Sequence, residues 1–131
     1  LGGLAAWVLL CFTMGLLRGA NTLVSQAVGA GRSDRIPAIG GVALTTAVAI
    51  GAVTAGLGQL VAEILPTFAA SPAAGVAASR YIGIRSLAAP IVLAHVALRE
   101  VRYGQGDSKT PMRATVLANL VNIGLASLFV Y

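Results

Sequence analysis

Four long stretches of this chain lack the regular charged positions that a solvated helix face carries. Residues 1–17 are uncharged, and an apolar helical pattern runs on to Val28 before Gly29-Ala30-Gly31 breaks it. No charge falls between Ile36 and Ala62, and this second stretch has Ser33 or Asp34 placed to cap its start and Pro37 in its first turn. The third opens on Ser71-Pro72, a cap followed by proline at the first helical position, and stays mainly apolar to Leu98. Arg80, Arg85 and His95 interrupt it, and Pro90 lies near its middle. The fourth opens on Thr110-Pro111, the same cap-and-proline device, and is uncharged from Ala114 to Tyr131. A membrane crossing takes about 20 mainly apolar residues. The pattern therefore predicts four spans, over about 1–28, 36–63, 72–102 and 111–131. Helices are the open-ended way to cross lipid with every backbone group satisfied, so the expected fold is an all-α, multi-pass transmembrane bundle. The second stretch exceeds one crossing, which permits tilt or projection beyond the bilayer. Apolar sequence is still running at Tyr131, so the chain reads as a fragment.

Composition agrees with the pattern. Of 131 residues, 57% are hydrophobic and 10% charged, with a mean hydropathy of +0.87, against about 25% charged in soluble domains. That excludes a disordered chain and a coiled coil, and a single cysteine, Cys11, excludes a disulfide scaffold. Lys and Arg number 9 against 4 acids, but their positions argue against nucleic acid as a partner. Arg32, Arg35, Arg99, Arg102, Lys109 and Arg113 lie in or beside two Gly-rich breaks, whereas the break from Pro66 to Pro72 has no Lys or Arg. The positive-inside rule then puts the first two breaks in the cytoplasm and the third outside, with the lipid bilayer as the partner. The basic breaks, Gly29 to Asp34 and Gly104 to Lys109, look alike, which shared turn and cap chemistry explains better than a repeat.

Few residues carry candidate chemistry. Ala43, Ala47, Gly51 and Ala55 form a small-residue stripe and Gly15-x-x-x-Gly19 a second, suited to close helix packing or to a sliding surface. Thr115, Asn119 and Asn122 share one face of the fourth span. Asn122 lies about 13 Å in from Arg113, close to the midplane, as a ligand or ion pathway or as interhelical glue. Asn21, Thr22, Ser25 and Gln26 make a weaker polar group near the inner end of the first span. Pro90 removes one amide hydrogen bond and crowds the Ser86 carbonyl, which predicts a kink and a helix hinge. Arg85, about 7 Å inside the outer boundary, either faces the bundle or snorkels to the interface. His95 stands four residues before Arg99, too isolated for a metal site, and Glu63 and Glu100 sit at span ends, leaving no carboxylate near a midplane. A catalytic arrangement is absent, since His95 is the sole histidine and Ser86 is more than two turns away. The expectation is a non-enzyme with no cofactor.

The run Val24-Ser25-Gln26-Ala27-Val28-Gly29-Ala30-Gly31-Arg32 resembles the end of the second helix and the following loop of the multidrug and toxic compound extrusion (MATE) transporters. Tyr81, Arg85, Pro90, Arg99, Gly104, Gly106-Asp107-Ser108-Lys109, Pro111, Asn119 and Asn122 resemble the fourth helix, loop and fifth helix of that family. Tyr81-Ile82-Gly83-Ile84-Arg85-Ser86-Leu87 is most similar to the DNA-damage-inducible protein F branch. The resemblance implies four helices of the first lobe of a bacterial inner-membrane transporter, whose second lobe completes the transport path. It implies secondary active efflux of organic, cationic compounds by antiport with protons or sodium ions. Asn119, Asn122, Arg85 and Gln26 would line the substrate or ion pathway, with Pro90 as hinge. Where the family commonly carries an aspartate four residues after the asparagine, this chain has Ala126. Two alternatives stand beside this reading. One is a lipid-linked precursor flippase, which calls for more cationic groups in the cavity than Arg85 alone. The other is a non-transporting membrane scaffold.

Overall fold

The computed structural model describes residues 2–69 and 71–130. Leu1 and Tyr131, at the outer limits of the first and last expected spans, and Ala70 in the outer break lie outside them. Five α-helices follow in order: α1 (Gly2–Gly29), α2 (Ile36–Ile64), α3 (Pro72–Leu87), α4 (Ala89–Gly104) and α5 (Lys109–Val130). There is no strand among the described residues, so the fold is all-α. Ser33–Phe68 and Lys109–Phe129 are each long and apolar enough to cross a membrane, and α3 with α4 pass that test together. With 28 residues, α1 is about 42 Å long.

The glycine breaks have a specific origin. Among the described residues, Gly31 and Gly106 are the positive-φ residues, at 69° and 78°, in the left-handed region where glycine avoids the Cβ penalty. Around the first, Arg32 N–H reaches Ala27 O at 2.8 Å and Gly31 N–H reaches Val28 O at 3.0 Å. Around the second, Asp107 N–H reaches Arg102 O at 3.0 Å and Gly106 N–H reaches Tyr103 O at 2.9 Å. Each is a Schellman cap, which satisfies the last helical carbonyls and turns the chain. The likeness of the two breaks is thus shared cap chemistry.

Two expected N-caps are corrected. Ser33 and Asp34 form a short 3-10 turn with Arg35 and neither side chain caps α2, although Pro37 does occupy its first turn. A 3-10 turn leading directly into a helix supplies backbone bonds that make a side-chain cap unnecessary. At α5 the cap is Asp107 rather than Thr110: its Oδ1 accepts the Thr110 N–H at 3.0 Å. Ser71 does cap α3, accepting from Ala74 N–H at 3.3 Å.

The third span is not one helix. It breaks at Ala88, two residues before Pro90, and α3 and α4 meet at 41°. Proline cannot donate its amide bond, and its ring crowds the preceding turn. The chain recovers when Val92 N–H bonds Ala88 O at 3.0 Å.

Packing centres on α2 and α4, with α1 against both. Leu17 and Ala20 of α1, Ala43 and Ala47 of α2, and Leu93, Val96 and Ala97 of α4 form the buried cluster. In lipid, contact of this kind is stabilised by close van der Waals packing rather than by removing apolar surface from water. The α2 stripe fits that requirement: Ala43, Ala47 and Gly51 are buried, and a Cβ on Gly51 would overlap Pro90 Cα. The α1 pair behaves otherwise, because Gly15 and Gly19 are exposed with nothing near them among the described residues. All of α5 from Met112 to Phe129 is exposed, and Pro111 is the residue that buries its base.

Candidate functional site

The four residues expected to form the pathway lie on three helices and, with the hinge Pro90 on a fourth, do not hydrogen-bond one another among the described residues. Asn119 and Asn122 stand exposed on α5, where Thr115 Oγ1 bonds its own Pro111 carbonyl at 2.9 Å. Arg85 is exposed in the last turn of α3, with its guanidinium 6.0 Å from the Tyr81 ring centroid and no ionic partner among the described residues. That distance is within cation–π range. Gln26 is exposed one turn before the end of α1, and His95 is exposed on α4. Pro90 is half-buried against Gly51 at the seam between α2 and the helix break.

Polar organisation within the bundle comes instead from two other groups, of which the sequence pattern singled out only Asn21 and Ser25, as part of a weaker polar group. On the α2–α3 side, Gln59 Nε2 donates to Gly83 O and to Ser86 Oγ, both at 2.8 Å, and Ser86 Oγ donates back to Gly83 O at 3.0 Å. The close approach is permitted by Gly58, whose Cβ would overlap Ser86 Cβ. This ties α3 to α2 immediately before the bend. The available signal was an amide inside the uncharged run from Ile36 to Ala62.

On the α1–α4 side, Asn21 Nδ2 donates to Glu100 Oε2 at 3.2 Å, and Ser25 Oγ donates to Gly104 O at 3.3 Å. Both pairs advance by four residues, so α1 and α4 run parallel with their C-terminal ends together. Gly104 makes room, since a Cβ there would come within 2.7 Å of Asn21 O and Val24 Cβ. Glu100 is the buried charged residue among those described, 5% exposed, with Arg99 Nη2 3.5 Å from its Oε1. Its place near a span end concealed this, because end position alone suggests headgroup contact. Beside the pair lies an open cavity of about 530 Å³ lined by Arg18, Asn21, Thr22, Arg99, Glu100 and Tyr103.

At the turn after α4, the Asp107 carboxyl is shifted below its ordinary pKa. The Thr110 hydroxyl and then the Thr110 N–H bond to its charged form, with Arg102 contributing across 3.8 Å.

Long apolar helices joined by tight basic turns, with one span bent over a small-residue seam, define a multi-pass α-helical membrane protein. Comparison with known proteins narrows this class. The chain belongs to the MatE family, which it matches over residues 2–128, a family of transporters rather than enzymes. It is 30% identical over 120 residues to "Probable multidrug resistance protein YoeA" of Bacillus subtilis (strain 168), covering 91% of this chain and 26% of that protein. It is 41% identical over 54 residues to "Protein DETOXIFICATION 43" of Arabidopsis thaliana, covering 41% of this chain and 10% of that one. "Protein DETOXIFICATION 42" of the same plant is 42% identical over 52 residues. The chain thus spans about a quarter of the length of its bacterial relative. No solved structure matches it significantly.

Proposed function

We propose that this chain is part of the first lobe of a secondary active efflux transporter. It would export organic, cationic compounds from a bacterial cell across the inner membrane in exchange for protons or sodium ions. The observation that carries the reading is the family match across nearly the whole chain, joined to a relative whose name specifies multidrug resistance. The bent α3–α4 span supports it. A broken helix packed closely on a small-residue neighbour has a built-in place to flex, as alternating access requires. Pro90 and Ala88 are that place. The amides of α5 are the candidate pathway, because an exposed Asn at membrane depth needs a polar partner or water that lipid does not supply. Arg85 and Gln26 complete the set.

The flippase reading gains one specific support. Arg18 and Arg99 share the α1–α4 cavity, which provides cationic groups beyond Arg85.

The test is Asn122→Leu in the full-length protein, measured as dye efflux from everted vesicles driven by an imposed proton or sodium gradient. Efflux should fall about tenfold or more while the amount inserted in the membrane stays the same. Undiminished efflux would remove Asn122 from the pathway. Efflux that is unaffected by either gradient, with lipid-linked precursor moved instead, would favour the flippase.

A further inference from the structure

The six residues lining the α1–α4 cavity are all polar or charged. They lie on a surface whose other exposed positions on the same helices include Leu16, Leu23 and Leu98. Within a membrane, a polar hollow in an otherwise apolar helix surface is costly unless something polar occupies it. Its charge identifies the occupant. Arg18 and Arg99 stand against one acid, Glu100, whose two carboxylate oxygens are already engaged by Asn21 and Arg99. The hollow is therefore net positive. Arg99 also retains an unused donor, since its Nε is sealed from solvent and has no hydrogen-bond acceptor among the described residues. Arg18, Thr22 and Tyr103 supply further donors around the rim.

Position sharpens the match. Counting back from Gly104 and Gly29, Glu100 lies about 6 Å, Asn21 about 12 Å and Arg18 about 16 Å from the helix ends. Those ends lead into the breaks that carry Arg32, Arg35, Arg102 and Lys109. Arg99, about 8 Å from the end of α4, reaches toward the headgroup layer along its aliphatic stem, and basic pockets between helices at the basic end of a bundle suit phosphate headgroups.

We propose that the α1–α4 cavity binds an oxyanion through Arg18 and Arg99, with the Glu100 carboxylate partly offsetting their charge. The phosphodiester of an anionic phospholipid and free phosphate share this chemistry. The exposed leucines beside the hollow favour the lipid. Occupancy would hold the inner ends of α1 and α4 together, independently of what the transporter carries.

The experiment uses the purified, delipidated full-length protein. Dioleoylphosphatidylglycerol, dioleoylphosphatidylcholine or inorganic phosphate is added back, and retained ligand is read by native mass spectrometry with the thermal midpoint alongside. Phosphatidylglycerol should be retained in preference to phosphatidylcholine. Arg18→Gln and Arg99→Gln should each weaken that retention about tenfold, the usual scale for one charged hydrogen bond. Glu100→Gln should tighten it, a sign that a merely structural role would not produce. Arg18→Gln leaves the Arg99–Glu100 contact in place, so the test stands even if the Arg99 variant does not fold. Displacement of phosphatidylglycerol by millimolar phosphate would assign the site to a free oxyanion. Equal retention of both lipids, or retention indifferent to both arginines, overturns the proposal. No readout here involves transport, so failure of this site and failure of the efflux reading are separately visible.

Discussion

The α2–α4 seam and α5 are both apolar, yet they meet their surroundings in opposite ways. Along the seam, Ala43, Ala47 and Gly51 face Leu93, Val96 and Ala97, and the backbones come close enough that Gly51 lies against the Pro90 ring. Along α5 the side chains are large: Leu117, Leu120, Val121, Ile123, Leu125, Leu128 and Phe129 are all at least 48% exposed. Hydrophobicity alone does not distinguish the two in a membrane, because lipid solvates a leucine as well as another helix does. Size does. Small residues let helices approach and gain dispersion contacts, while a helix of large residues with two amides waits for a partner of complementary shape or for a polar cavity.

The largest test of this contrast is Gly51→Val. The new side chain meets Pro90 backbone atoms, which cannot rotate away. The bundle should lose about 3 kcal/mol or more, read from the unfolding transition in mixed micelles. Gly124→Val on α5 meets nothing among the described residues and should cost less than about 0.5 kcal/mol. Equal costs would erase the distinction between the two helices. Next comes Gly106→Ala. Its φ of 78° makes any Cβ unfavourable by about 1–2 kcal/mol, and the loss should appear as a lower thermal midpoint of the full-length protein. Gln59→Leu follows, removing both bonds that tie α3 to α2. Intramembrane hydrogen bonds average about 0.6 kcal/mol, so stability should fall by about 1 kcal/mol. Spin labels on α3 should report greater freedom about Ala88, and an unchanged label spectrum would show that the bend is held by Pro90 packing alone.

Much of the fold was legible because its signals are local. Charge-free runs, Ser71-Pro72 and paired glycine turns each act within a few residues, and the structure places helices there. The bend was legible from Pro90 for the same reason. What remained hidden is relational. Ser33 and Asp34 are good cap residues, but a 3-10 turn takes their place. Asp107 caps α5 because the Schellman turn at Gly106 presents it to Thr110, a geometry that residue type does not specify. Gly15 and Gly19 have the spacing of a packing motif, yet burial depends on which face α4 meets. Glu100 was legible only as an acid at a span end, and its partner Asn21 lies 79 positions away. The pathway residues remain an inference from the family likeness, since α5 buries nothing beyond Pro111 among the described residues.

The smallest effect concerns the base of α5, where its direction is set. Asp107 accepts from the Thr110 N–H and lies 3.8 Å from Arg102, joining the end of α4 to the start of α5, whose residues from Met112 to Phe129 are exposed among the described residues. These bonds favour the carboxylate, so its pKa lies below the ordinary 3.8. A depressed folded pKa contributes stability that is fully present above the unfolded value and is lost as pH falls through the folded one. The carboxylate lies in a surface turn, so the effect is local rather than global. Hydrogen exchange at the Thr110 amide should therefore be protected, beyond its intrinsic pH dependence, at neutral pH and lose that protection once the pH drops below about 4. In Asp107→Asn the protection should be weaker at neutral pH and show no acid transition, because a neutral amide can still accept the bond but carries no charge to lose. An acid transition persisting in that variant would mean that another group anchors α5, and that its orientation is determined by contacts further along the helix.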